Sequence, residues 1–132
     1  MKEWQKIHFN LLIECIINDF NELYKRTLKE HQEIYGVALI LDDDALTAYM
    51  SVSTFESLNN IHKDEKWLPY EWAIGNDDDD VEKGMGVFVE KHIEYYDKYI
   101  APKFEKGDYE YSGDRDDNLE MFTDGMKRVK IL

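Results

Sequence analysis

The chain has 132 residues and a formal net charge of -13 at pH 7, from 16 Lys and Arg against 29 Asp and Glu. Such a charge argues against nucleic acid as a partner, because phosphate backbones are bound by basic side chains that displace counterions. The length predicts a single domain over residues 1–132, and a hydrophobic fraction of 43% excludes a disordered acidic tail.

No stretch approaches the roughly 18 consecutive apolar residues that a membrane span requires. The N-terminal segment lacks the pattern of a signal peptide, because it is interrupted by polar residues: Glu3, His8, Asn10 and Glu14. With one cysteine, Cys15, the chain forms no internal disulfide. We therefore expect a cytoplasmic protein with no membrane partner, present as a monomer or a small homo-oligomer.

Helical spacing of apolar residues predicts a long first helix over residues 3–31. The residues with this spacing are Trp4, Ile7, Leu11, Cys15, Phe20, Leu23, Tyr24 and Leu28. Four further apolar residues, at positions 12, 13, 16 and 17, widen the stripe. A stripe of this width indicates a helix packed against a sheet.

Residues 34–54 predict a β-hairpin. Residues 34–41 are apolar at every position except Gly36, which is typical of a central strand covered on both faces. Asp42, Asp43 and Asp44 form the predicted turn, since Asp tolerates turn conformations. Residues 46–53 alternate in polarity, which predicts a second strand with one face in the core.

The rest of the chain predicts one more strand and two helices. The strand lies near residues 71–74, after Pro69, and a helix begins near Val81 and stops at Pro102. Residues 115–130 predict the last helix. The predicted fold class is α+β: a long N-terminal helix packed on a small antiparallel sheet (hairpin 34–53 plus the third strand), followed by two C-terminal helices.

Motifs for catalysis or metal binding are lacking in the sequence. A calcium loop starting at Asp114 fails, because its sixth and twelfth positions are Leu119 and Gly125 rather than Gly and Glu. The four histidines are far apart, and His92 lies on an apolar helical stripe, which predicts a buried, hydrogen-bonded histidine. We therefore expect no catalytic residue, no metal, no cofactor and no enzymatic activity.

The order of these segments resembles a bacterial family of domains of unknown function, numbered 4303. Within IYGVALILDDDALTAYMSVSTFESL and KWLPYEWAI, the resemblance rests on Tyr35, Gly36, Leu39, Thr54, Glu56, Trp67, Pro69 and Trp72. After Gly75 the match is poor. The resemblance implies a small α+β domain with no assigned activity, of a kind found among immunity proteins that neutralise bacterial toxins.

The net charge and the resemblance together predict an acidic module that binds a basic, toxin-like protein. Acidic runs and accessible aromatic side chains are the expected contacts, and Tyr95 is the expected accessible tyrosine of its helix. The predicted partner-binding residues are Asp42, Asp43, Asp44, Asp77, Asp78, Asp79, Asp80, Trp67 and Tyr95.

Two alternatives remain open at this point. The first is a small enzyme or ligand-binding domain with a cleft around Glu71, Trp67 and Trp72, which requires a deep pocket that contains the Glu71 carboxylate. The second is a housekeeping role with neither a toxin partner nor a pocket.

Overall fold

The computed structural model of the chain describes residues 1–57, 72, 74–76 and 81–129. In chain order the elements are α1 (Glu3–Lys29), β1 (Ile34–Leu41), β2 (Ala48–Thr54), β3 (Ile74–Gly75), α2 (Met85–Tyr95), a π-helical turn (Tyr96–Ile100), α3 (Ala101–Phe104) and α4 (Ser112–Arg128). This is the predicted α+β fold: a long helix, a three-stranded antiparallel sheet and then C-terminal helices.

Helix α1 buries only part of the predicted apolar stripe, because Ile7, Tyr24 and Leu28 are exposed. Its buried apolar residues are Leu12, Cys15, Ile16, Phe20 and Leu23. At its end, His31 adopts a left-handed backbone conformation (φ 56), and the N–H of Gln32 donates to the carbonyl of Thr27 at 2.8 Å. This Schellman closure satisfies carbonyls of the last turn, so the helix ends at Lys29.

The strand order is β1-β2-β3, so β2 is the central strand and β1 is an edge of the described sheet. Among the described strands β1 is not central, contrary to the prediction: all its residues are half-buried, whereas all those of β2 except Tyr49 are buried. An apolar sequence indicates that both faces of a strand contact other apolar residues. It does not indicate whether another strand pairs with each of its two edges. On the outer face, the Trp72 ring lies so close to Gly36 that an added Cβ would be 2.6 Å from Cη2.

Pro102 does not stop the second helical region, contrary to the prediction. The chain stays helical to Phe104, because a π-helical turn precedes α3. In that turn the N–H of Ala101 donates to the carbonyl of Tyr96, five residues back. Adding one residue to a turn relieves the clash that a proline ring otherwise makes with the preceding turn of an α-helix.

The core lies between the sheet and the helices, where α1 contacts α2, α4 and β2. Gly125 allows α4 to approach α1 closely, since a Cβ there would lie 2.9 Å from Leu12 Cδ2. Cys15 is fully buried, and this burial raises the pKa of its thiol to about 11.

Among the described helices, none is both long enough and apolar enough to cross a membrane.

Candidate functional site

The β1–β2 turn presents three exposed aspartates, Asp42, Asp43 and Asp44, which we call the acidic turn. The Asp42 carboxylate accepts from the N–H groups of Leu46 and Thr47 at 2.8 and 3.0 Å, which stabilises the turn. Asp43 and Asp44 form no ion pair with any residue that the structure describes. Their charges therefore face solvent from a hydrogen-bonded backbone.

The acidic turn is held by side chains from the far end of the sequence. The Tyr111 hydroxyl donates to the Asp44 carbonyl at 2.8 Å, and Arg115 Nε donates to the Asp43 carbonyl at 2.7 Å. Both donors bond backbone carbonyls rather than carboxylates. These two hydrogen bonds therefore position the turn and leave the charges of the Asp43 and Asp44 carboxylates unpaired by Arg115.

A series of hydrogen bonds through two buried side chains, Gln5 and Asn118, supports Tyr111. The N–H of Lys2 donates to Gln5 Oε1, Gln5 Nε2 donates to Asn118 Oδ1 at 2.7 Å, and Asn118 Nδ2 donates to the Tyr111 hydroxyl at 3.1 Å. The series fixes the orientation of both side-chain amides. It begins at a backbone N–H, which can only donate, and it ends at the carbonyl of Asp44, which can only accept. The start of α1 is thus connected to the acidic turn through α4.

His92 lies beside this series of hydrogen bonds. It is 1% exposed and forms a hydrogen bond with the carbonyl of Leu46, which confirms the prediction of a buried, hydrogen-bonded histidine. Its Nδ1 lies 2.9 Å from the carbonyl of Leu46, so Nδ1 carries the hydrogen in the neutral ring. Its Nε2 lies 3.3 Å from Asn118 Oδ1. Burial lowers the pKa of His92 and outweighs the opposing effects of these two acceptors and of the Asp42 charge.

The lowered pKa of His92 predicts a loss of stability on acidification. Because the native pKa lies below the unfolded value of about 6.5, the unfolded chain takes up this proton first as the pH falls. The free energy of unfolding should therefore decrease below pH of about 6.5, down to the native pKa, with a contribution of at most about 1.4 kcal/mol per pH unit. Urea unfolding of the wild type and His92→Gln between pH 7.5 and 5 measures it; equal slopes for the two proteins would contradict the assignment.

Tyr95 is half-buried rather than accessible, which differs from its predicted role. Trp4 of α1 stacks on it, with ring centroids 4.9 Å apart, and burial raises the pKa of Tyr95. Tyr99, 5.3 Å from Tyr95 between centroids, is 52% exposed and is the accessible tyrosine on this face. Helical spacing along α2 contains no information about Trp4, which belongs to a helix distant in sequence.

A second aromatic group lies beside the acidic turn. The Tyr111 ring contacts Tyr96 at 5.8 Å and Phe104 at 6.3 Å between centroids. Burial, followed by the charge of Asp44, raises the pKa of Tyr111 to about 12, so its hydroxyl keeps its proton and donates at neutral pH. Phe104 is 42% exposed, so an apolar surface extends from the turn.

The sequence analysis did not identify Tyr111, Arg115 or Asn118 as site residues. Each forms its contact with a residue at least seven positions away, and the bonds to the turn span 67 and 72 positions. The available signal was the aromatic content near the start of α4, which does not identify a partner. The acidic turn itself was predictable, because three consecutive aspartates interrupt an apolar hairpin.

The other predicted contact residues, Asp77, Asp78, Asp79, Asp80 and Trp67, lie outside the described residues. Of the alternative cleft, Glu71 and Trp67 also lie outside them. Trp72 is half-buried, and its ring centroid is 6.0 Å from that of Tyr35. Within the described ranges, no group of three His, Cys, Asp or Glu side chains is placed to hold a metal ion.

Comparisons of the chain with protein-family models, curated proteins and solved structures find no match. The resemblance to the family numbered 4303 therefore stays a prediction that rests on the residues named for it.

Proposed function

We propose that this protein is an acidic binding module of the immunity type, which occupies and neutralises a basic, toxin-like protein domain in the cytoplasm. The observation that supports it is the acidic turn, whose carboxylates face solvent while Tyr111 and Arg115 hold its backbone. The net charge of -13 gives the same preference for a basic partner over the whole chain.

The turn suits this role because its order precedes binding. Binding to a loop that hydrogen bonds already hold costs less conformational entropy than binding that must first order the loop. Exposed carboxylates steer a cationic partner during approach, over a Debye length of about 8 Å at physiological salt. The neighbouring Phe104 supplies apolar area that a partner can bury after the encounter.

Co-expression tests the proposal with an unmodified chain. The product of a neighbouring toxin-like gene is expressed with and without this protein, purified at low salt and assayed for toxicity. The expected result is a stable complex and a loss of toxicity. The absence of a complex with any such neighbour would overturn the proposal.

Neutralising the turn should slow association. The double variant Asp43→Asn with Asp44→Asn removes two charges and leaves the Tyr111 and Arg115 bonds to the backbone in place. We expect the association rate with the basic partner to fall about five- to tenfold at low salt, with a difference that shrinks as salt rises. Stopped-flow or surface-based kinetics at several salt concentrations measure this.

The matched control removes two charges from α1 instead. Glu14 and Glu22 are exposed, and each lies near a lysine, at 3.7 Å from Lys83 and 3.5 Å from Lys25. Glu14→Gln with Glu22→Gln changes the net charge equally but not the turn. Equal rate reductions for the two double variants would show that total charge, rather than the acidic turn, directs the encounter.

A further inference from the structure

One edge of β1 has backbone hydrogen-bonding groups that no described strand uses. The N–H of Asp42 donates to the carbonyl of Thr47, and the ladder pairs Leu41 with Ala48. Because bonded and non-bonded pairs alternate in an antiparallel ladder, the backbone groups of Val37, Leu39 and Leu41 point away from β2. No strand within the described part of the chain pairs with this edge.

An apolar groove follows the same edge, between β1 and the helices. One cavity of about 770 Å³ is lined by Ile34 and Val37 of β1, by Tyr24 and Leu28 of α1, and by Met126 of α4. A second cavity of about 360 Å³ shares Met126 and continues past Leu39 and Leu41. Tyr24 and Leu28 are 44% and 58% exposed, so apolar surface is open to solvent here.

Acidic groups lie at both ends of this edge. The acidic turn follows the last residue of β1, and the exposed Glu33 and Glu56 lie at its start, where Glu56 Oε2 accepts from the N–H of Glu33 at 3.0 Å. Lys127 lines the smaller cavity together with Leu39 and Leu41. The edge thus favours an occupant with an apolar centre and basic ends.

A second copy of the chain does not match this pattern. Antiparallel pairing of two β1 edges brings Glu33 of one copy beside the acidic turn of the other, and parallel pairing brings each acidic end beside itself. Like charges at these positions oppose association, as does a net charge of -13 on each copy.

We infer that β1 accepts an extended segment of a basic protein as an added strand. Its backbone bonds Val37, Leu39 and Leu41, alternate apolar side chains enter the groove, and Lys or Arg at its two ends meet the acidic turn and the Glu33–Glu56 pair. The basic character of the partner rests on the proposed function, whereas the mode of binding rests on the edge and the groove.

Peptides separate strand addition from simple charge attraction. The probe is a nine-residue peptide with valine at alternate central positions and two basic residues at each end. Two controls carry N-methyl groups on one or the other alternate set of backbone nitrogens. Only one backbone edge of the peptide forms hydrogen bonds with β1, so we expect one control to bind at least tenfold more weakly than the probe and the other to bind as the probe does.

Amide hydrogen exchange locates the added strand. With saturating probe, the amides of Val37, Leu39 and Leu41 should exchange at least tenfold more slowly, while those of Ala38 and Ile40, which already face β2, should change little. Leu28→Lys, which puts a cation into the groove, should weaken binding at least tenfold. Ile7→Lys is its control, because Ile7 is also on α1 and is 67% exposed.

The outcomes distinguish this inference from the proposed function. Equal binding of the three peptides, unchanged exchange at the three amides, or no binding at low salt would overturn strand addition. A neutralising complex with a toxin-like partner would leave the proposed function standing in each case. Strand addition without any such complex would instead overturn the proposed function.

Discussion

Replacing Asp19 by Ala should lower the free energy of unfolding by about 2–4 kcal/mol, as the combined loss of a helix cap and of buried charge-assisted bonds. Asp19 is 4% exposed, and its Oδ2 accepts from the N–H of Met85, the first residue of α2, at 2.6 Å. The N-cap residue of α2 is Gly84, which has no side chain to provide this bond. A residue of α1 therefore caps α2.

The same carboxylate also connects the third strand to α1. Asn76 Nδ2 lies 3.1 Å from the Asp19 carbonyl and 3.2 Å from its Oδ1, and Arg26 donates to the Gly75 carbonyl and to Asn76. In Asp19→Ala the N–H of Met85 stays in a buried position without its acceptor, which is the costly situation for a polar group.

Urea unfolding of Asp19→Ala, with Glu22→Ala as the matched control, measures this cost. Glu22 lies on the same helix, but its contact with Lys25 is a solvent-exposed ion pair at 3.5 Å. We expect its loss to cost no more than about 0.5 kcal/mol. Similar midpoints for the two variants would show that Asp19 does not cap α2.

Asn118→Leu should cost about 2–4 kcal/mol and also release the acidic turn. Asn118 is 5% exposed, accepts from Gln5 and donates to Tyr111. A leucine has the same number of non-hydrogen side-chain atoms, but it leaves Gln5 Nε2 buried without an acceptor and removes a support of the hydroxyl that holds Asp44. Urea unfolding gives the stability, and the amide resonance of Asp44 reports the state of the turn.

Two comparisons make the Asn118 result specific. Asn18→Leu removes a solvent-exposed bond to the Lys83 carbonyl at 3.1 Å and should cost less than about 1 kcal/mol. The double variant Gln5→Leu with Asn118→Leu should be less destabilised than the sum of the two single variants, because no unpaired donor remains between them. Additive costs would mean that the two amides do not act as a pair.

The sequence alone determined α1 and the β1–β2 hairpin with its acidic turn. Helical spacing from Trp4 to Leu28 predicted α1, and the apolar run, the aspartates and the alternating run predicted β1, the acidic turn and β2. These predictions succeed because periodicity reports which face of an element is apolar, and three aspartates mark a solvated turn. The acidic turn, as an exposed feature, was thus available before the structure.

The tertiary structure alone decided which residues meet. The edge position of β1, the cap that Asp19 provides to α2, the cover of Trp4 over Tyr95 and the support of the acidic turn by Tyr111 all join residues from distant parts of the chain. Periodicity within one element contains no information on its neighbour, and a polar residue can find its partner anywhere that the fold brings one. In the sequence, Asn118 is one of several polar residues of a predicted helix. Only the packing of α1 against α4 makes it the link between Gln5 and Tyr111, which holds the acidic turn.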